Sequence, residues 1–259
     1  MYLTNLTDEQ WQLLCPVLEI APARQKGGRP RSYPFREIVN GIFYITKTGC
    51  QWRMLPSDFA PWSSVYGYFR TWKLSGVWDK ALTLFRETYR IQAGRKARPT
   101  AAIIDAQSVK TTGSGGQRGF DAGKKVKGRK RHIAVDTMGN LLAVCVHSAS
   151  IQDWRGARLL MIRLYTMFAA VSVIWADGGY SGVLVEWAKS MFNWNLTIVK
   201  PTDAMCGKFV VLPRRWVVER SFAWLGNSRR LSKDYELLTD TAEAFIKITE
   251  VHRLLRGIC

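Results

Sequence analysis

Three acidic residues stand at positions where a carboxylate could take part in chemistry. Asp105 lies inside the apolar run AAIIDAQSV, Asp177 ends the run VSVIWAD directly before two glycines, and Glu219 lies among arginines. A carboxylate within an apolar strand is costly unless it is paired or binds a metal. Converging carboxylates repel one another, and a divalent cation relieves that repulsion. An all-oxygen site favours Mg²⁺ or Mn²⁺, and two such ions about 3.5–4 Å apart suit an in-line phosphoryl displacement.

Each of the three acids also has a plainer interpretation. Asp105 could bond to a neighbouring strand or to a lysine, and Asp177 could be an ordinary turn residue. Glu219 could form an ion pair with Arg215, four residues earlier on a helix, or with Arg220. The pattern alone therefore leaves the three-carboxylate site as a hypothesis.

Residues 1–95 have the pattern of a helical region. Apolar spacing predicts four helices, over about residues 8–18, 34–48, 63–74 and 78–90. Thr7 and Gln10 form a capping-box pattern before the first helix, and Gly49 is a predicted C-cap of the second. The second and third helices resemble a helix-turn-helix unit, although their connection is long. A polar, basic linker over residues 92–100 ends this region.

Two parts of this helical region are candidates for DNA contact. The segment GGRPRSYP could enter a minor groove as an arm, or it could be a plain loop. The third helix could enter a major groove through Tyr66, Tyr68, Arg70 or Lys73. The same aromatic side chains could instead be core residues, and the sequence leaves that open.

From residue 101 onward the pattern changes to strands that alternate with helices. Strands are predicted for AAIIDAQSVK, for the two arms of RHIAVDTMGNLLAVCVHSAS, for VSVIWAD and for LTIVK. Asp136 is interpreted as the acid of the hairpin turn, and Asp153 as the cap of a helix that runs to about Phe168. Further helices are predicted over residues 183–191, 214–226 and 242–256. This order indicates the α/β class, with a mixed sheet flanked by helices.

The charge balance points to a polyanionic partner. Lys and Arg number 38 against 20 Asp and Glu, for a net charge of +18. Nucleic acid is the first candidate and an anionic membrane surface the second. No run of about 20 apolar residues predicts a membrane span, and no signal peptide is recognised. The five cysteines are scattered, which disfavours zinc sites and disulfides and fits a cytoplasmic location.

Two basic groups could contact phosphates. Six of the eight residues 124–131 are basic, and this stretch is predicted to clamp DNA beside the acids or to be a solvated loop. Its cations are Lys124, Lys125, Lys127, Arg129, Lys130 and Arg131. A second group surrounds Glu219 in the sequence and also includes Arg214 and Lys233, and some of its members could balance the acids rather than meet DNA. The candidates in it are Arg215, Arg220, Arg229 and Arg230.

The motifs that carry these acids resemble a known family. The segments IIDAQSVKTT, WADGGYSG and VLPRRWVVERSFAWLG are similar to those of insertion-sequence transposases of the DDE type, in insertion sequence family five. The amino-terminal run from LTDEQWQLL to YGYFRTW is similar to the same family's amino-terminal region. The resemblance implies a ribonuclease-H-like catalytic domain over residues 101–259 and a DNA-binding domain over residues 1–95. It also implies that Asp105, Asp177 and Glu219 are the catalytic, metal-binding acids.

The resemblance implies an activity and its partners. The expected protein cuts the ends of an insertion sequence with two Mg²⁺ or Mn²⁺ ions and joins them to target DNA, as a homo-oligomer assembled on double-stranded terminal repeats. The alternatives are a nuclease without strand transfer and a decayed transposase that only binds DNA. An RNA-binding protein is disfavoured because no aromatic RNP-type strand is present.

Two positions depart from the motif of transposases outside this family. Those proteins place Tyr, Arg and Lys around the glutamate, as Y-x-x-R-x-x-x-E-x-x-x-x-x-x-K. Arg215 fills the arginine position, whereas Leu212 and Gly226 stand where the tyrosine and the lysine would be. Contacts made by those two side chains are therefore not expected here.

Overall fold

The chain forms two compact units. A computed structural model of the chain describes residues 2–19, 32–113, 116–199 and 214–259. The first, helical unit contains residues 1–95, 227–232 and 244–259, and the second, sheet unit contains residues 96–226 and 233–243. The boundary after Arg95 falls at the predicted linker. The carboxyl-terminal residues from Ala244 onward belong to the helical unit, although the sequence interpretation grouped them with the catalytic domain.

The helical unit is built from amphipathic helices with local start and stop signals. They are α1 (Asp8–Glu19), α2 (Phe35–Thr48), α3 (Trp62–Leu74), α4 (Val77–Gln92) and the part of α8 (Thr239–Ile258) from Ala244 onward. The capping box is confirmed, because the N–H of Thr7 donates to Gln10 Oε1 and the N–H of Gln10 donates to Thr7 Oγ1, both at 3.2 Å. Gly49 ends α2 with φ 72°, and its N–H donates to the carbonyl of Ile45 at 2.9 Å.

A mixed sheet is the centre of the second unit. Its strands are β1 (Ala101–Lys110), β2 (Gly119–Asp121), β3 (Val126–Val135), β4 (Leu141–Ser148), β5 (Val173–Ala176) and β6 (Asn195–Ile198). Strand β3 pairs antiparallel with β1, β2 and β4, whereas β1, β5 and β6 are parallel neighbours. Three antiparallel strands followed by two parallel ones give the ribonuclease-H-like order β4-β3-β1-β5-β6. The predicted fold class is confirmed.

The helices of the sheet unit are α5 (Asp153–Met167), α6 (Val183–Phe192) and α7 (Arg215–Gly226). Helix α5 covers an apolar core that includes Ile104, Leu160 and Ile174. It lies so close to the sheet that a Cβ on Gly156 would overlap the Nε2 atoms of His132 and His147. Only glycine permits this approach.

The turn between β3 and β4 fixes helix α7. Asp136 Oδ1 accepts the N–H groups of Met138 and Asn140 at 2.8 and 3.0 Å, as expected for a hairpin turn acid. The carbonyl of Met138 then accepts a hydrogen bond from Arg220, and that of Gly139 accepts one from Ser221, both at 2.9 Å. The two α7 residues that follow Glu219 are thus tied to the sheet.

Within residues 2–19, 32–113, 116–199 and 214–259, no helix combines the length and the apolar character needed to cross a bilayer.

Candidate active site

Asp105 lies on β1 beside the end of β5. The parallel register pairs Ile103 with Trp175, so Asp105 on β1 and Asp177 just after β5 each come two residues beyond this pair. Burial raises the pKa of Asp105 to about 6, and the negative charge of Asp177 adds to that rise. The N–H of Ala106, which donates to Asp105 Oδ1 at 2.7 Å, acts in the opposite direction. An ionised Asp105 therefore needs a cation more than an exposed aspartate does.

Asp177 is held by the turn that it begins. It is the first residue after β5, and its Oδ1 accepts the N–H of Gly179 at 2.9 Å. Behind this turn, the fully buried Tyr180 places its hydroxyl 3.2 Å from Nδ1 of the buried His132. The sequence analysis did not identify this tyrosine–histidine contact. It anchors the turn, and with it the backbone of Asp177, to β3.

Glu219 approaches the site from α7 together with Arg215. The guanidinium of Arg215 lies 3.4 Å from Glu219 Oε1 and 3.9 Å from Asp177 Oδ2. The expected pair between Glu219 and Arg215 is present, and the same cation also reaches the acid at the end of β5. The structure thus brings Asp105 next to Asp177, and links Asp177 to Glu219 through one arginine.

A fourth acid, Asp153, lies near this group. Gln152 rather than Asp153 takes the N-cap position of α5, so the predicted cap is wrong. The carboxylate of Asp153 instead lies 2.8 Å from Lys130 Nζ. The charges of Asp153, Asp105 and Asp177 all raise the pKa of Tyr180, after the larger effect of its burial. The sequence carried no signal for this placement beyond an acid at a helix start.

The donor set fits a hard divalent cation. All three predicted ligands offer carboxylate oxygens, which Mg²⁺ and Mn²⁺ prefer. Burial is the main reason that the pKa of Asp105 is raised, and the negative charge of Asp177 adds to that rise. Among the described residues, no three histidine, cysteine, aspartate or glutamate side chains form a group that could hold one metal ion. The cation that lies between Asp177 and Glu219 is Arg215.

The basic stretch 124–131 differs from its prediction. Lys124, Lys125 and Lys127 are exposed, and Lys124 Nζ donates to the carbonyl of Ala106 at 2.7 Å, next to Asp105. The remaining cations, Arg129, Lys130 and Arg131, lie within β3 and are buried. These three side chains are buried because they have polar partners inside the sheet unit.

The partners of the buried cations are distant in the sequence. Arg129 forms an ion pair with Asp234 at 3.1 Å and donates to the carbonyls of Gln117, Glu236 and Leu237. Lys130 lies between Asp153 and Asp121, and Arg131 donates to the carbonyl of Lys233 at 3.1 Å. We do not retain Arg129, Lys130 or Arg131 as DNA contacts.

The arginines of the second basic group also differ in their surroundings. The guanidinium of Arg220 lies between the rings of Trp216 and Trp224, at 4.4 and 4.5 Å from their centroids. Arg229 and Arg230 belong to the helical unit, where Arg229 is exposed and Arg230 is buried and donates to the carbonyl of Cys50. These two arginines were expected to surround Glu219, which belongs to the sheet unit.

The candidate DNA contacts in the amino-terminal region differ in exposure. On α3, Tyr66 and Arg70 are exposed, whereas Tyr68 packs against Phe35 and Trp72. Residues 27–31 of the proposed minor-groove arm lie outside the described residues, as does Leu212.

Two family models cover most of the chain. Residues 6–82 match a model described as "Putative transposase of IS4/5 family", and residues 96–249 match the model of the transposase DDE domain. The second match alone spans more than half of the chain. The chain belongs to the DDE transposase family. The predicted membership is confirmed. Asp105, Asp177 and Glu219 all lie within the DDE match.

Individual proteins are similar to this DDE transposase chain over different spans. The insertion element IS402 uncharacterized 16.2 kDa protein of Burkholderia cepacia is 30% identical over 117 residues, which are 44% of this chain and 78% of that protein. The crystal structure of the Mos1 strand transfer complex is 12% identical with a TM-score of 0.26, and covers 91% of this chain and 79% of its own. The Mos1 mariner paired end complex with Mn is 10% identical with a TM-score of 0.26, at 98% and 86% coverage. The family assignment rests on the family models, because TM-scores this low carry no weight.

Proposed function

We propose that this chain is a transposase that cuts the ends of an insertion sequence and joins the freed ends to target DNA. The observation that carries the proposal is the arrangement of Asp105, Asp177 and Glu219. Asp105 on β1 and Asp177 directly after β5 follow the paired residues of neighbouring parallel strands, and Glu219 is linked to Asp177 through Arg215. The family membership supports the same chemistry.

The three acids are proposed to hold two Mg²⁺ or Mn²⁺ ions. When bound, such ions supply Lewis-acid assistance to both the attacking and the leaving oxygen of a phosphodiester displacement. Asp177 is oriented for this role by the N–H of Gly179 and by the buried Tyr180 behind it. Glu219 is oriented by the two hydrogen bonds from Arg220 and Ser221 to the β3–β4 turn.

Double-stranded DNA is the proposed partner. The net charge of +18 attracts a polyanion. The exposed Lys124, Lys125 and Lys127 lie in the β2–β3 hairpin, where Lys124 Nζ donates to the carbonyl of Ala106, next to Asp105. Each phosphate contact contributes about 0.9 to the slope of log K against log salt concentration. The helical unit is proposed to bind the terminal repeats, with Tyr66 and Arg70 on the exposed side of α3. A homo-oligomer on DNA would hold two ends together for joining, in the cytoplasm at the nucleoid.

The test supplies a labelled duplex that carries the element's own end, a circular target DNA and Mg²⁺. We expect labelled products in which the element end is covalently joined to the target. Cleaved ends without joined products would instead identify a nuclease without strand transfer. Binding of the end without cleavage in either Mg²⁺ or Mn²⁺ would identify a decayed transposase.

A further inference from the structure

Arg215 occupies an unusual place for a helical arginine. It is the first residue of α7, its side chain is 19% exposed, and it forms ion pairs with Asp177 and Glu219. Its positive charge also lowers the pKa of Asp105, so all three acids interact with it. The positive charge of one guanidinium thus acts on all three acids.

A carboxylate oxygen that faces a guanidinium is less available to a divalent ion. Arg215 lies 3.9 Å from Asp177 Oδ2 and 3.4 Å from Glu219 Oε1, so an ion bound by these acids would compete with it for their negative charge. Its own charge would also repel the guanidinium at that distance. An arginine stays charged at any working pH, so it cannot yield by losing its proton. It can yield only by moving its side chain.

We propose that Arg215 is a resident competitor of the catalytic cation, and that it sets the affinity of the acids for metal. In the metal-free protein the guanidinium offsets part of the negative charge of the acids and limits their mutual repulsion. The side chain then leaves the carboxylates when a divalent ion binds. This inference rests on the proposed function, because it takes the same acids as cation ligands.

The test is a titration of the DNA-free protein with Mn²⁺, with free Mn²⁺ measured by electron paramagnetic resonance. The variants are Arg215→Gln, which removes the charge, and Arg215→Lys, which keeps a charge without the planar fork. Arg98→Gln is the matched control, since Arg98 is an exposed arginine of the same unit. We expect Arg215→Gln to bind Mn²⁺ about tenfold more tightly than wild type, from the loss of a repulsive charge near 4 Å. The lysine variant and the control should stay within about twofold of wild type.

A second measurement uses the unmodified chain, so that it does not depend on the folding of a variant. Phenylglyoxal reacts with accessible guanidinium groups, and peptide mass analysis reports the modification at Arg215. Mn²⁺ is expected to accelerate that modification, because the ion displaces Arg215 from the acids. The modification of Arg98 in the same sample should not change.

The outcomes separate this inference from the proposed function. Equal or weaker Mn²⁺ binding by Arg215→Gln, or a slower reaction of Arg215 with phenylglyoxal when Mn²⁺ is added, would overturn the competitor role while the acids still bind metal. If wild type binds no Mn²⁺, or if the Asp177→Asn variant binds as much Mn²⁺ as wild type, the metal site itself is refuted. The inference then fails with it.

Discussion

The Asp105→Asn variant is expected to stabilise the metal-free protein by on the order of 2 kcal/mol at pH 7.5, while it lowers metal-dependent DNA cleavage by at least about 10³-fold. Both effects have one cause. Burial and the nearby Asp177 raise the pKa of Asp105 to about 6, so its charge at neutral pH is unfavourable in the folded state. Asparagine removes that charge and keeps an oxygen for the N–H of Ala106. It also removes a carboxylate that the proposed cation needs.

The stabilisation by Asp105→Asn is expected to depend on pH. An acid whose pKa is higher in the folded state than in the unfolded state favours folding while it is protonated. Its contribution is therefore lost as the pH rises from about 4 through 6. Urea unfolding in EDTA at pH 5 and pH 7.5 should show a smaller advantage of the variant at pH 5. Glu186→Gln, at an exposed acid on α6, is the control and should change neither stability nor cleavage. A variant less stable than wild type at pH 7.5 would contradict this interpretation.

The Asp234→Ala variant is expected to lower the free energy of unfolding by about 3–5 kcal/mol. Its carboxylate is fully buried, lies 3.1 Å from the buried Arg129 and accepts the N–H of Glu236 at 3.0 Å. Removing it leaves the charge of Arg129 buried in the sheet unit without the carboxylate of this ion pair. Breaking one side of a buried ion pair costs far more than removing an exposed charge.

Chemical denaturation monitored by circular dichroism measures this effect. The matched control is Glu186→Ala, which removes an exposed acid of the same unit and should change the stability by less than about 0.5 kcal/mol. A loss below about 1 kcal/mol for Asp234→Ala would mean that the carbonyls of Gln117, Glu236 and Leu237 suffice to hold Arg129.

Local signals made much of the secondary structure predictable. The capping box at Thr7 and Gln10, the left-handed Gly49 and the turn acid Asp136 act within a few residues of themselves, so the sequence shows both halves of each interaction. Helix α3 begins at Trp62, directly after Pro61, rather than at Ser63 as predicted. Apolar runs predicted five of the strands, whereas β2 and the first half of β3 were not predicted. The family resemblance implied the ribonuclease-H-like fold.

Long-range pairing explains what the sequence analysis missed. The run KKVKGRKR has the composition of a solvated basic segment, yet Arg129 finds its acid at position 234 and Lys130 finds one at position 153. No periodicity connects such positions. The same holds for Tyr180 and His132, and for α8, whose amphipathic pattern does not show which unit it packs against. The sequence predicted the three acids and the pair of Glu219 with Arg215, whereas the contact of Arg215 with Asp177 needed the fold.

The most direct test of the central claim compares wild type with Asp177→Asn in the cleavage of labelled element-end DNA, with Mg²⁺ or Mn²⁺ and with EDTA as the metal-free reference. Glu186→Gln again serves as the control for a surface acid of the same unit. We expect metal-dependent cutting by wild type and by the control, and none by Asp177→Asn, which should still bind the DNA with undiminished affinity. Cutting that persists in the Asp177→Asn protein would show that the catalytic acids lie elsewhere and would contradict the proposed mechanism.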